Sequence, residues 1–147
     1  MTTLRKSREY ALQALFSIDM LEEYHEEYSL EMVQELCRMM SVPDSGQDYF
    51  FDLVTGVFKH FKEIDKVIAK TSSNWKITRI STVDRNIIRI AIYEIFYKDD
   101  IPNKVAINEA VDIGKKFGSE KSGAFINGIL DSIHQHSIEG GTERSHT

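Results

Sequence analysis

Residues 83–130 read VDRNIIRIAIYEIFYKDDIPNKVAINEAVDIGKKFGSEKSGAFINGIL. The first part is apolar nearly all round: Val83, Ile87, Ile88, Ile90, Ala91, Ile92, Ile95 and Phe96 leave no polar face. Such a helix belongs in the interior, so the stretch predicts a buried central helix ending near Tyr97. Ser81 or Thr82 caps it, and Asp84 sits in the first turn, where the helix dipole favours an acid. KDDIP is a turn. Pro102 then starts a helix that ends at Gly118, a natural glycine stop. Ser119 or Ser122 caps a last helix, packed through Phe125, Ile126, Ile129, Leu130 and Ile133.

Upstream, Leu4, Ala11, Leu15 and Ile18 repeat at helical spacing, widened by Leu12 and Phe16, which predicts a helix over about 3–21. EEYHEEY breaks the pattern. Ser29 is read as the N-cap of a second helix to about Met40, with Leu30, Val33, Leu36 or Cys37, and Met40 inward. After the turn SVPDSG, an apolar helix from Gln47 carries Phe50, Leu53, Val54, Val57, Phe58 and Phe61. Ile64, Val67 and Ile68 continue its face to about Thr71, with a break near His60. SSNWK is the clearest boundary. The expectation is an all-α domain over 1–137, with about seven helices in two packed subdomains resembling three-helix bundles. The subdomains span about 1–74 and 75–137, followed by a disordered tail over 138–147.

The 147 residues are 41% hydrophobic, enough for one domain with a real core. Two prolines and no strand-like alternation favour helices. A single cysteine, Cys37, excludes an internal disulfide and fits a reducing compartment. With no apolar run of about 18 residues and no signal-peptide pattern, the expected location is cytoplasmic, away from membranes.

Enzyme readings find little support. There is no Gly-rich loop after a strand and no G-x-S-x-G. Cys37 lies on an apolar helical face and reads as core. His134 and His136 are two apart, on different faces of a helix. Glu109 and Asp112 share a face, yet no Glu-x-x-His accompanies them. No cofactor and no metal are implied.

The formal net charge is -5, which argues against strong nonspecific nucleic-acid binding. The charge is uneven. Asp19 to Asp48 holds nine acidic residues and one basic one, Arg38, whereas Arg5, Lys6 and Arg8 crowd the start of the first helix. Cations there oppose the helix dipole by about 0.3–1 kcal/mol each when exposed. They are either a solvated, frayed end or, with the outward N–H groups, an anion site suited to phosphate. FGSEKSGAF (117–125) is a second cluster, where Lys115, Lys116 and Lys121 converge on one loop. Phe117 and Phe125 either stack bases, at about 1–3 kcal/mol per base, or belong to the core. Asp84, Arg85 and Arg89 form a third, read as a helix cap and an arginine paired with an acid.

VDRNIIRIAIYEI, IPNKVAINEAVDIGKKFG and FINGIL, in this order and spacing, resemble the core of the NusB family, bacterial transcription antitermination factors. RKSREYALQALF resembles the family's arginine-rich first helix, so the resemblance covers roughly 4–135. It implies two packed three-helix bundles. It also implies a factor that binds boxA-like single-stranded RNA jointly with NusE, a small-subunit ribosomal protein, within the transcription elongation complex, supporting processive transcription of ribosomal RNA operons. It places Arg5, Lys6, Arg8, Phe117, Lys121 and Phe125 against RNA and Asp84 near NusE. Lys121 stands where the family often has an acid, a change that favours RNA electrostatically. Single-stranded RNA suits a few cations and two rings better than a duplex would. Two rivals remain: a helical protein-binding adaptor, and a stand-alone relative of the RNA-binding domain of RNA cytosine methyltransferases, a domain for whose catalytic partner 147 residues leave no room.

Overall fold

A computed structural model describes residues 3–22, 24, 30–72 and 77–139. Among these are six α-helices: α1 (Thr3–Met20), α2 (Leu30–Met39), α3 (Asp44–Thr71), α4 (Thr82–Tyr97), α5 (Asn103–Phe117) and α6 (Ser122–Glu139). A short 3-10 turn, Ile77–Arg79, precedes α4. No strand occurs among the described residues. Ser29, the expected cap of α2, lies outside them, as do 73–76 of the expected link and 140–147 of the expected tail. The backbone of α6 reaches Glu139, past the expected start of that tail.

Two compact units divide at Phe61/Lys62. In the first, α1 buries Ala11, Leu12, Ala14, Leu15 and Ile18. Leu4 remains 37% exposed, one turn outside the stripe it is expected to begin. The buried side starts instead at Ser7, whose hydroxyl donates to Gly46 O at 2.9 Å. α2 buries Val33 and Cys37, while Leu30 stays exposed. It ends in a Schellman turn. Val42 N–H donates to Cys37 O, Ser41 N–H donates to Arg38 O, and Ser41 takes the left-handed φ of 54°. α3 begins at Asp44, earlier than the expected Gln47. Pro43 presets the helical entry, and Asp44 places an acid in the first turn. No break occurs near His60, where the sequence offers neither Gly nor Pro to interrupt the ladder.

The second unit takes the end of α3 as well as α4, α5 and α6. The expected division near residue 74 is therefore displaced into α3. Within this unit Asp65 of α3 accepts two hydrogen bonds from Arg89 of α4, at 2.8 and 2.9 Å, and Ile64 and Ile68 of the same segment are buried. α4 is buried along almost its whole length, polar residues included, from Asp84 to Ile95. α5 packs on α4 and α6, and α4 also touches α6. Gly114 permits the α5–α6 approach, since a Cβ there would lie 2.5 Å from Ile126 Cδ1.

Candidate functional site

The start of α1 belongs to the first unit. Lys6 is exposed and Arg5 half-exposed, so both are presented at the surface. Arg8 is not: it is 3% exposed, with its guanidinium 5.7 Å from the Tyr49 ring centre. Its burial follows from helical spacing, because Arg8, Ala11, Leu12 and Leu15 share one face. As a surface contact for a ligand, Arg8 is corrected to a packed residue.

The α5–α6 junction belongs to the second unit and is built by two serines. Ser119 Oγ accepts from Lys121 N–H at 3.3 Å, and Ser122 Oγ accepts from Ser119 N–H at 2.8 Å. Ser122 N–H also donates to Ser119 O at 3.0 Å. The Ser122 hydroxyl reaching back to Ser119 N–H is one half of a capping box, with serine in the place usually held by Glu or Gln, while the Ser119 hydroxyl takes Lys121 N–H instead of Ser122 N–H. Both serines expected as alternative caps thus act together. The S-x-x-S spacing is the signal that points to it.

Gly118 closes α5, donating to Gly114 O at 2.8 Å, with φ -96° rather than the left-handed value of a usual glycine stop. Close approach is what requires glycine here: a Cβ would lie 2.2 Å from Ser122 Oγ. The junction presents a mixed cationic and aromatic surface. Phe117 is 38% exposed, and Lys116 Nζ stands 5.2 Å from its ring centre. Lys121 is exposed. The stem of exposed Lys115 runs along Gly123, where a Cβ would meet Lys115 Cγ at 3.0 Å. Phe125, one turn into α6, is half-buried. Phe117 and Lys121 therefore share a turn, while Phe125 offers only part of its ring. The arrangement suits a chain of stacked rings and phosphates, with a cation against a partly exposed aromatic ring and two further exposed lysines on the same junction.

The start of α4 is a structural corner. Asp84 N–H donates to Ser81 Oγ at 3.1 Å, identifying Ser81 as the cap. Asp84 is 8% exposed, and its Oδ1 accepts no hydrogen bond from the described residues. Arg85 donates to Ile77 O and Ile80 O at 3.2 and 3.0 Å, holding the 3-10 turn against α4. Arg89 takes the pairing role with Asp65.

The cysteine and the histidines of α6 have structural surroundings. Cys37 is buried, and that burial pushes its thiol above the ordinary range, away from a nucleophile. His134 Nδ1 lies 3.0 Å from Asn103 Nδ2, whereas His136 Nδ1 lies 2.9 Å from Ser132 O. No group of three His, Cys, Asp or Glu residues placed to hold a metal occurs among the described residues. No described helix is long and apolar enough to cross a membrane.

The NusB family model matches residues 5–135. The transcription antitermination protein NusB of Desulfatibacillum aliphaticivorans is 47% identical over 132 residues, covering 90% of each chain. The structure of NusB from T. maritima superposes with a TM-score of 0.78 at 31% identity, over 92% of each chain. A structure of antitermination factors NusB and NusE in complex with dsRNA matches with a TM-score of 0.77 at 26% identity, covering 92% of this chain and 98% of that one.

Proposed function

The chain belongs to the NusB family, and from that premise we propose that it is a cytoplasmic, non-catalytic transcription antitermination factor that binds boxA-like single-stranded RNA together with NusE. The observation that carries the RNA reading is the α5–α6 junction, where exposed Phe117 stands among Lys115, Lys116 and Lys121. Arg5 and Lys6 supply a second cationic surface, at the start of α1. Arg8 acts indirectly, by holding that end of α1 through its packing on Tyr49. Phe125 contributes the exposed part of a half-buried side chain.

Titration of labelled single-stranded boxA-like RNA tests this. Arg5→Ala/Lys6→Ala and Lys121→Ala each weaken binding and leave melting unchanged. The salt slope falls by about 0.7 for every phosphate of a single strand that is no longer neutralised. Affinity at moderate salt equal to the parent's in both variants would reject the site. A duplex of the same sequence is the competing ligand, since a relative was solved with dsRNA. Tighter binding of the duplex would overturn the single-strand assignment.

NusE enters through charge. A chain of net charge -5 with small cationic surfaces gains from a basic partner that extends them. RNA affinity rises several-fold or more when NusE is added, and equal affinity with and without it would refute the cooperation. Asp84 is assigned to this partner indirectly: it is buried in the first turn of α4, with Oδ1 out of solvent, and acts by holding the start of that helix. Asp84→Asn then weakens pairing with NusE and spares RNA binding by the chain alone.

A further inference from the structure

We infer that Ser122 is a positioning residue for RNA binding, acting with Ser119 to fix the turn that carries Phe117 and Lys121; this rests on the RNA reading of the α5–α6 junction. Lys121 is exposed and Phe117 is 38% exposed, so neither is fixed in direction by full burial in the core. Their direction follows from the backbone between them. That backbone is held by the serine pair: Ser119 N–H on Ser122 Oγ at 2.8 Å, Lys121 N–H on Ser119 Oγ at 3.3 Å, and the two hydroxyls 3.4 Å apart.

The hydroxyl of Ser122 is spent within the turn. The residue is 1% exposed, and its hydroxyl bonds to Ser119. Alanine would occupy the same Cβ space, so the hydroxyl is dispensable for packing and needed for the path of the turn. Gly118 is the other half of the device. A Cβ there would lie 2.2 Å from Ser122 Oγ, 2.7 Å from Ser122 Cβ and 2.9 Å from Gly114 O. Only glycine lets α5 end directly against the buried hydroxyl, with Phe117 as the residue just before it. Loosening the turn lowers the fraction of molecules whose ring and ammonium stand where RNA needs them, and the apparent affinity falls by that fraction.

The experiment compares Ser122→Ala, Gly118→Ala, the double variant, Ser119→Ala and Lys121→Ala. Each is titrated with labelled single-stranded boxA-like RNA, melted, and followed for hydrogen exchange at the Ser119 amide. Ser122→Ala weakens RNA binding roughly three- to tenfold, the range of a single hydrogen bond, with the melting temperature lowered by no more than a few degrees and the protein fully folded at the titration temperature. Its Ser119 amide exchanges faster. Gly118→Ala weakens binding as well, and the double variant is no weaker than Gly118→Ala, because both changes disturb the same approach. Ser119→Ala, at an exposed position that cannot unfold the core, also weakens binding and guards against a folding defect in Ser122→Ala. If Lys121→Ala loses affinity while Ser122→Ala and Ser119→Ala bind like the parent, the positioning role is wrong and the RNA reading stands. If Lys121→Ala also binds like the parent, the RNA reading itself fails at this junction.

Discussion

Ile88→Ala and Ile92→Ala should each cost about 2–5 kcal/mol of stability, from reduced burial and the cavity left behind. Both side chains are 0% exposed, in the middle of a helix that α5 and α6 pack against. The neighbouring positions on α4 are buried too, so the surroundings have little freedom to collapse into the space. A domain of this size has about 5–15 kcal/mol in total, so either change removes a large share. Thermal melts should fall by roughly 5–20 °C. RNA binding, measured well below the transition, should fall only in proportion to the unfolded fraction, because neither residue reaches the surface. A melt within a degree or two of the parent would mean that α4 relaxes around the loss, and its central place in the second unit would have to be abandoned.

The composition of α4 makes that place legible: a helix with no polar side has nowhere to lie but inside. The polar residues buried with it are less legible. Arg8 illustrates why. Its charge suggests solvent and a ligand, yet its spacing from Ala11, Leu12 and Leu15 already puts it on the buried face. An arginine can be held there by an aromatic ring, and the ring, Tyr49, comes from a distant part of the chain. The same holds for the division into units. The Ser/Asn-rich link at 72–75 marks a change in local chain character. The end of α3 lies in the second unit, where Asp65 pairs with Arg89, twenty-four positions away, a contact that no local pattern encodes. Phe117 and Lys121 are legible as a cluster, because a helix end and a helix start are both local signals. The direction of their turn is not, since it depends on how closely Gly118 approaches Ser122.

The pairing of Arg89 with Asp65 carries the other large effect. Arg89 is 5% exposed; its Nε and Nη2 donate to the two oxygens of Asp65, and its Nη1 donates to Asn86 Oδ1 at 3.1 Å. Breaking a buried pair by removing one member typically costs about 3–5 kcal/mol, because the other charge is stranded. Asp65 keeps 26% of its side chain exposed, so water recovers part of that loss and the expected cost of Arg89→Ala is roughly 2–4 kcal/mol. Asp65→Ala should cost a comparable amount, since it leaves a guanidinium in the interior. The double variant Arg89→Met/Asp65→Leu tests the reason. It fills the space and strands no charge, so it should melt well above Arg89→Ala. The coupling between the two positions, read from denaturant melts of the single and double variants, should reach at least about 1 kcal/mol. Additive effects would mean that the pair is incidental, and that the apolar side chains Ile64 and Ile68 alone attach the end of α3 to the second unit. A large coupling with recovered stability in the double variant would show that the charges select which face of α3 meets α4, while the surrounding apolar burial supplies the free energy.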